Sequence, residues 1–256
     1  MTGRWAIYDR LLGELPSVGV VRDCVVSKSW ILVRSEAVGM AVGVAKSPGD
    51  LRQPQSIQPP LAGTSLRDVA ACLKSWDLSE AAAALAALNS FLNSPQRVQS
   101  WLRGPLEDVE SNQVFVRMSS ELEGKNVAVV GHFPGLEQLA DHCRLVILER
   151  NPREGDLPDF AAEYVLPEQD YVFITGTALV NKTLPRLLEL SARAQVVLVG
   201  PSVPLTPLWF EWGVDILAGC VVTDAARVWA AARQGAGRRS FESGSSTVHI
   251  RRQDVA

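Results

Sequence analysis

Three things are missing from this chain of 256 residues: a Cys-x-x-Cys pair, a long apolar run and an excess of basic residues. Cys24, Cys72, Cys143 and Cys220 lie far apart, which excludes a zinc knuckle or a disulfide frame and fits buried thiols in a reducing compartment. The longest apolar run, Ala81 to Leu88, is far too short to cross a bilayer, so no membrane insertion is expected. A net charge of −3 argues against a nucleic-acid partner. The basic pairs Arg238-Arg239 and Arg251-Arg252 fit a solvated tail and a strand end. Near the start, apolar residues are interrupted by Arg4, Asp9, Arg10 and Glu14, which does not suit a secretory leader. The expected location is cytoplasmic. With only three histidines, no Ser–His–Asp or Cys–His constellation can be assembled from the sequence.

What is present is a hydrophobic share of 47%, enough for one large or two modest cores. The first hundred residues read as valine-rich strands (17–26, 30–35, 37–44), a loop with prolines at 48, 54, 59 and 60, and then two helices. Leu66, Val69, Ala70 and Leu73 stripe the first helix; Ala81, Leu85, Leu88 and Leu92 stripe the second. Strands before helices imply an α+β unit. Pro95, Gly104 and Pro105 punctuate a hinge, which puts the division at 1–105 and 106–256. From Lys125 onward, strand, loop and helix alternate. The apolar runs at 126–130, 145–149, 171–175 and 196–200 suit strands buried on both faces of a parallel sheet, giving an α/β doubly wound fold. Helix stripes at Leu184, Leu187, Leu188 and Ser191, and at Ala225, Val228, Trp229 and Ala232, alternate with them, with starts at Thr206-Pro207 and Asp224 and a stop at Gly235. The aromatics Trp209 and Trp212 suit a homodimer contact as well as a core.

Ligands of such sheets sit beyond the carboxyl ends of the strands, which singles out four loops. "GHFPG" offers Gly131 for a tight turn, followed by an expected helix whose amides face the loop. Phe133 and Leu136 occupy two of the glycine positions of a dinucleotide fingerprint, which speaks against ordinary NAD binding. Glu149, 18 residues past Gly131, is either an acceptor for sugar-like hydroxyls or a strand-end carboxylate paired with Arg150 or Arg153. "ITGTALVNKT" differs from a P-loop at Asn181, a residue that tolerates a left-handed backbone. The following strand ends in Gly200-Pro201 and not in a magnesium-holding aspartate, which argues against an NTPase. Thr183 also suits a helix cap. In "GPSVPLTP" three prolines fix Ser202 near the same edge, or simply stiffen a turn. His132 belongs to a ligand-side loop and is the candidate acid or base.

The stretches "VAVVGHFPGLEQL", "VILERNPREGDLPD", "ITGTALVNKTLPRLLELS" and "VVLVGPSVPLTPLWFEWGVDILAGCVVTD", with "LSEAAAALAALNSFLN" earlier, together resemble a prokaryotic family linked to heavy-metal chelation. The resemblance covers nearly the whole chain. It implies a smaller α+β domain like the N-terminal domain of enolase, then a Rossmann-like domain, with a small-molecule ligand in the cleft between them. The site residues it implies are Gly131, His132, Phe133, Glu149, Thr175, Gly176, Thr177, Asn181, Thr183, Gly200 and Ser202, with Glu80 and Asn89 from the first domain.

Each of the last two has a plainer reading. Asp77-Leu-Ser-Glu80 fits a helix capping box. Asn89 projects about 180° away from Glu80 on a straight helix, so at most one of the pair faces a given cleft. Adjacent His142 and Cys143 do not face one way on a helix, so the sequence offers no ready metal ligand set. The resemblance leaves two cofactors open, a heavy or transition metal and a nucleotide-like small molecule. It also leaves open whether the protein is a binding protein or an enzyme, a transferase or lyase.

Overall fold

The computed structural model describes residues 3, 5–27, 30–43, 61–106, 113–234 and 244–256. The proline-rich loop at 48–60, the end of the third expected strand at Val44, the helix stop at Gly235 and the pair Arg238-Arg239 lie outside the described residues.

The chain opens with a helix the sequence reading did not anticipate, α1 (Ala6–Gly13), which buries Ile7, Tyr8 and Leu11. Strands β1 (Asp23–Val26), β2 (Trp30–Arg34) and β3 (Val38–Val42) then form an antiparallel sheet in the order β1-β2-β3. Residues 17–22 of the first expected strand stay outside it, and Val20 bridges instead to Ser65, at the start of the next helix. Two helices follow as expected. Ser65 caps α2 (Leu66–Ala71) and Asp77 caps α3 (Leu78–Leu92), accepting from the amides of Ser79 and Glu80.

The alanine run of α3 has a packing reason. Ala81 to Leu88 are all buried, since one side of the helix lies on the small sheet and the other joins the core of the larger one. Small side chains let backbones approach: a Cβ on Gly39 of β3 would stand only 2.1 Å from the Ala86 carbonyl oxygen. The expected hinge contains a further short helix, α4 (Pro95–Ser100), capped by Ser94. The segment after it is held by the chain's last residues, with Arg103 N donating to Asp254 O and Ala256 N to Trp101 O.

Helix α5 (Gln113–Leu122) precedes the large sheet. Its strands are β4 (Asn126–Val130), β5 (Arg144–Glu149), β6 (Leu157–Pro158), β7 (Tyr171–Thr175), β8 (Gln195–Val199), β9 (Ile216–Val222) and β10 (Ser245–Arg251), in the order β10-β9-β8-β7-β4-β5-β6. Renumbered within the sheet this is 3-2-1-4-5-6-7, the doubly wound Rossmann-like arrangement, with only β10 antiparallel. Along β4, Val127 and Val129 face α5 through Phe115 and Met118, while Ala128 and Val130 face the core shared with α3. Both faces are covered, which is why these strands read as unbroken apolar runs. Edge strand β10 alternates between buried and half-buried residues instead.

The connections carry α6 (Ala162–Val165), α7 (Leu184–Leu190), α8 (Leu208–Glu211) and α9 (Ala225–Arg233). After β4, however, the expected helix is only a single 3-10 turn, Leu136–Gln138, entered through Gly135 at φ +85. Trp209 is fully buried, its indole N–H donating to Pro204 O, and Trp212 packs against the same core. No helix among the described residues is long and apolar enough to cross a membrane. The four cysteines are half-buried and none is in a disulfide.

Candidate functional site

The order of the large sheet reverses between β4 and β7, so the loops after these strands diverge and leave a crevice at the carboxyl edge. Two glycines shape it. Gly131 turns the chain at φ +106, and a Cβ there would lie 3.2 Å from that of Thr175. Gly176 is required by proximity instead: a Cβ would sit 2.6 Å from the backbone of both Ser202 and Val203. Phe133 is anchored against Phe115 of α5, with ring centroids 5.7 Å apart.

The crevice opens into a cavity of about 690 Å³. Of the residues expected at the site, Gly131, His132, Phe133, Glu149, Thr175, Thr177, Asn181, Thr183, Gly200 and Ser202 line it. Gly176, Glu80 and Asn89 stand outside the lining. Glu80 accepts from the Ser75 hydroxyl at 2.6 Å, so it supports the start of α3 through a side chain and not by reaching back to an amide. Asn89 is wholly buried; its Nδ2 donates to Met40 O at 2.9 Å and Ser202 O at 3.3 Å, tying β3 to the loop after β8.

Within the cavity, His132 is oriented by Asp156, with Nδ1 3.2 Å from a carboxylate whose side chain is only 3% exposed. The same oxygen accepts from Arg153 N at 2.9 Å, closing the turn that holds it. Glu149 does not pair with a neighbouring arginine. Its Oε1 accepts from the amides of Arg150 and Asn151, while the Arg150 guanidinium goes to Asp159. Arg186 is held by Glu163 and Glu189.

The loop after β7 turns its amides inward. Leu179 N donates to Gly176 O, Val180 N and Asn181 N to Thr177 O, and Lys182 N to Leu179 O. Amides consumed in this way do not cradle a phosphate, so the likeness to a P-loop ends at the spelling. The left-handed residue is Lys182, at φ +66, and not Asn181. Thr183 holds the N-cap position of α7 as expected, but its side chain does not cap the helix; it donates its hydroxyl to Asn181 Oδ1 at 2.6 Å, and its amide goes to the same oxygen. Thr175 and Thr177 share a hydroxyl hydrogen bond of 2.9 Å. Ser202 is nearly fully buried and accepts from Val42 N at 2.9 Å.

Lys182 also lines the cavity, as do Arg150, Asp159, Phe160, Glu163 and Arg186 and, from the small sheet, Trp30 and Val42. Sequence reasoning assigned none of these to the site, nor Asp156 behind His132. For Lys182 the signal was present in "NKT". For Trp30 and Val42 there is none, because only the packing of the small sheet brings them there.

Direct metal chelation does not fit this donor set. Among the described residues no three of His, Cys, Asp and Glu gather as a metal site. Two acids of the cavity are already held by arginine, and His142, beside Cys143, bonds to Glu123 and is not part of the lining.

Comparisons with known proteins agree with this architecture. Residues 114–251 match the family model DUF364 and residues 8–92 match DUF4213, each described as "putative heavy-metal chelation". A solved DUF364 protein of unknown function from Desulfitobacterium hafniense is 40% identical, with a TM-score of 0.86 over 98% of this chain and 100% of that one. One from Pyrococcus horikoshii shares the fold at 22% identity and a TM-score of 0.74, over 96% and 98% of the two chains. An uncharacterized protein of Methanocaldococcus jannaschii is 33% identical over 108 residues, 39% of this chain and 42% of that relative's length. Because a family model covers more than half of its length, the protein belongs to the DUF364 family, whose description ties it to heavy-metal chelation.

Proposed function

We propose that the protein binds a small polar or anionic organic molecule in the cavity at the carboxyl edge of the large sheet, and takes part in metal homeostasis through that molecule. The observation that carries this reading is the contrast within the site. A cavity of about 690 Å³ gathers hydroxyl, amide and charged groups from four strand ends, yet no metal ligand set forms among the described residues. A chelator-type or nucleotide-like ligand suits such a lining better than a bare ion. Glu149, with only one oxygen committed to backbone amides, takes ligand hydroxyls, and Thr175, Thr177, Asn181 and Thr183 hydrogen-bond its polar end. The test is native mass spectrometry of freshly purified protein, repeated after denaturation. A retained organic mass, with affinity reduced at least about tenfold by Glu149→Ala and Asn181→Ala, supports the reading, each lost charged or paired hydrogen bond counting for 1.4 kcal/mol or more. A metal mass without an organic partner overturns it.

The His132–Asp156 pair favours a second reading, a transferase or lyase acting on the same kind of molecule. A ring nitrogen fixed by a buried carboxylate leaves the other free to exchange a proton with a ligand. Turnover of the recovered ligand that survives His132→Ala would dispose of this role.

A further inference from the structure

Among the described residues, three Lys and Arg side chains line the cavity, and two of them are neutralised by contact: Arg150 by Asp159, Arg186 by Glu163 and Glu189. Lys182 differs. Its Nζ donates to the Val180 carbonyl at 2.6 Å and meets no carboxylate among the described residues. Its backbone is the only non-glycine one at positive φ among the described residues. A glycine or asparagine holds that conformation with less strain, so the turn is shaped around a lysine despite the backbone.

We propose that Lys182 is the covalent anchor of the cavity, its amine adding to the carbonyl carbon of a small aldehyde or keto-acid ligand to hold it as an imine. The amine lone pair forms the N–C bond while the carbonyl π pair moves to oxygen, which takes up a proton. The carbinolamine then loses water, and the N–H proton leaves to give the neutral imine; amine and carbonyl compound are thus balanced by imine and water. His132, lining the same cavity and held by Asp156, is the group that passes the proton to the departing oxygen.

Electrostatics support this geometry. Burial lowers the Lys182 ammonium to about 8, against the opposing pull of Asp77 at the head of α3. At pH 7 roughly one such amine in ten is neutral, against fewer than about one in a thousand for an ordinary lysine. The other charged groups around the cavity, Glu149, Arg150, Asp159, Glu163, Arg186 and His132, do not figure in this shift.

The inference rests on the cavity being a ligand site, and its test is separable from that reading. The full chain is treated with glyoxylate and sodium cyanoborohydride between pH 6 and 10, and the reduced adducts are mapped by peptide mass. The chain has five lysines, so the map is simple. The expected result is one carboxymethyl group on Lys182, formed at least about tenfold faster at pH 7 than on Lys74 or Lys125, with a rate that levels off near pH 8. The other lysines keep accelerating toward pH 10. Lys182→Arg, confirmed as folded by its urea transition, loses the fast adduct. Equal labelling of all lysines, or none on Lys182, overturns the proposal without any variant. A retained organic mass with Lys182 unlabelled sinks the imine alone; a labelled Lys182 with no ligand effect of Glu149→Ala and Asn181→Ala sinks the earlier ligand assignment alone.

Discussion

Asn93 ends α3 and is 3% exposed, and it makes the densest set of polar contacts between that helix and the large sheet. Its Nδ2 donates to Val203 O at 2.9 Å and Cys220 O at 3.1 Å, and its Oδ1 accepts from Leu205 N at 2.8 Å. Asn93→Ala removes all three bonds, taking one partner from each of two carbonyls and one amide at a largely buried joint. At about 1 kcal/mol per bond the loss is about 3 kcal/mol, and imperfect resolvation of the orphaned groups can only add to it. For a chain of this size that corresponds to a fall of roughly 6–12 °C in Tm. Asn93→Asp keeps the acceptor for Leu205 N but turns a carboxylate toward two carbonyl oxygens, so it is expected to cost more than alanine at neutral pH. Urea unfolding followed by tryptophan fluorescence, with an unchanged m-value, measures both. An alanine variant within about 0.5 kcal/mol of the parent would refute the reasoning, since the three bonds would then be replaced by water at no cost.

Gly176→Ala places a Cβ 2.6 Å from the backbone of Ser202 and Val203, which cannot move aside as a side chain can; a loss of about 1–3 kcal/mol is expected in the same urea assay, and an unchanged midpoint would contradict the packing. His249 sits on β10 with Nε2 unpartnered, and burial together with Arg251 and Arg117 lowers its affinity for a proton. The unfolded chain therefore binds the proton more readily, so this contribution to stability is present above the ordinary histidine range and is lost as pH falls through it. His249→Gln should flatten the stability profile between pH 7 and 5, and a variant as acid-sensitive as the parent would rule this out.

The large sheet was legible because strands buried on both faces leave apolar runs no loop would carry, as "NVAVV" and "VVLVG" do. The loops beyond the carboxyl ends of its strands were singled out by the alternation of strand and helix alone. Helices α1 and α5 carried their stripes openly (Ile7, Tyr8 and Leu11; Val114, Phe115, Met118 and Leu122), but the first stretch was weighed only as a leader, and the second, between the hinge and Lys125, was given no element. The helix expected after "GHFPG" fails because Gly135 turns left-handed and restarts the chain in a 3-10 turn. Asn181 is of a type that tolerates a left-handed backbone, yet the residue that adopts one is Lys182, between the hydrogen-bonded Asn181 and Thr183. Asp156, Trp30 and Val42 had no local mark at all, since what places them is contact across long stretches of chain.

The hydrogen bond from Val42 N to Ser202 Oγ joins the wall of the cavity to the last residue of β3, and Asn89 reinforces the same joint. Free energy flows through such a joint in both directions. A molecule that steadies the loop after β8 must also hold β3 more firmly, by as much as firm attachment of β3 improves its own binding. For the proposed ligand, slowed hydrogen exchange at the Val42 amide is therefore the expected gauge of occupancy, readable before its identity is known.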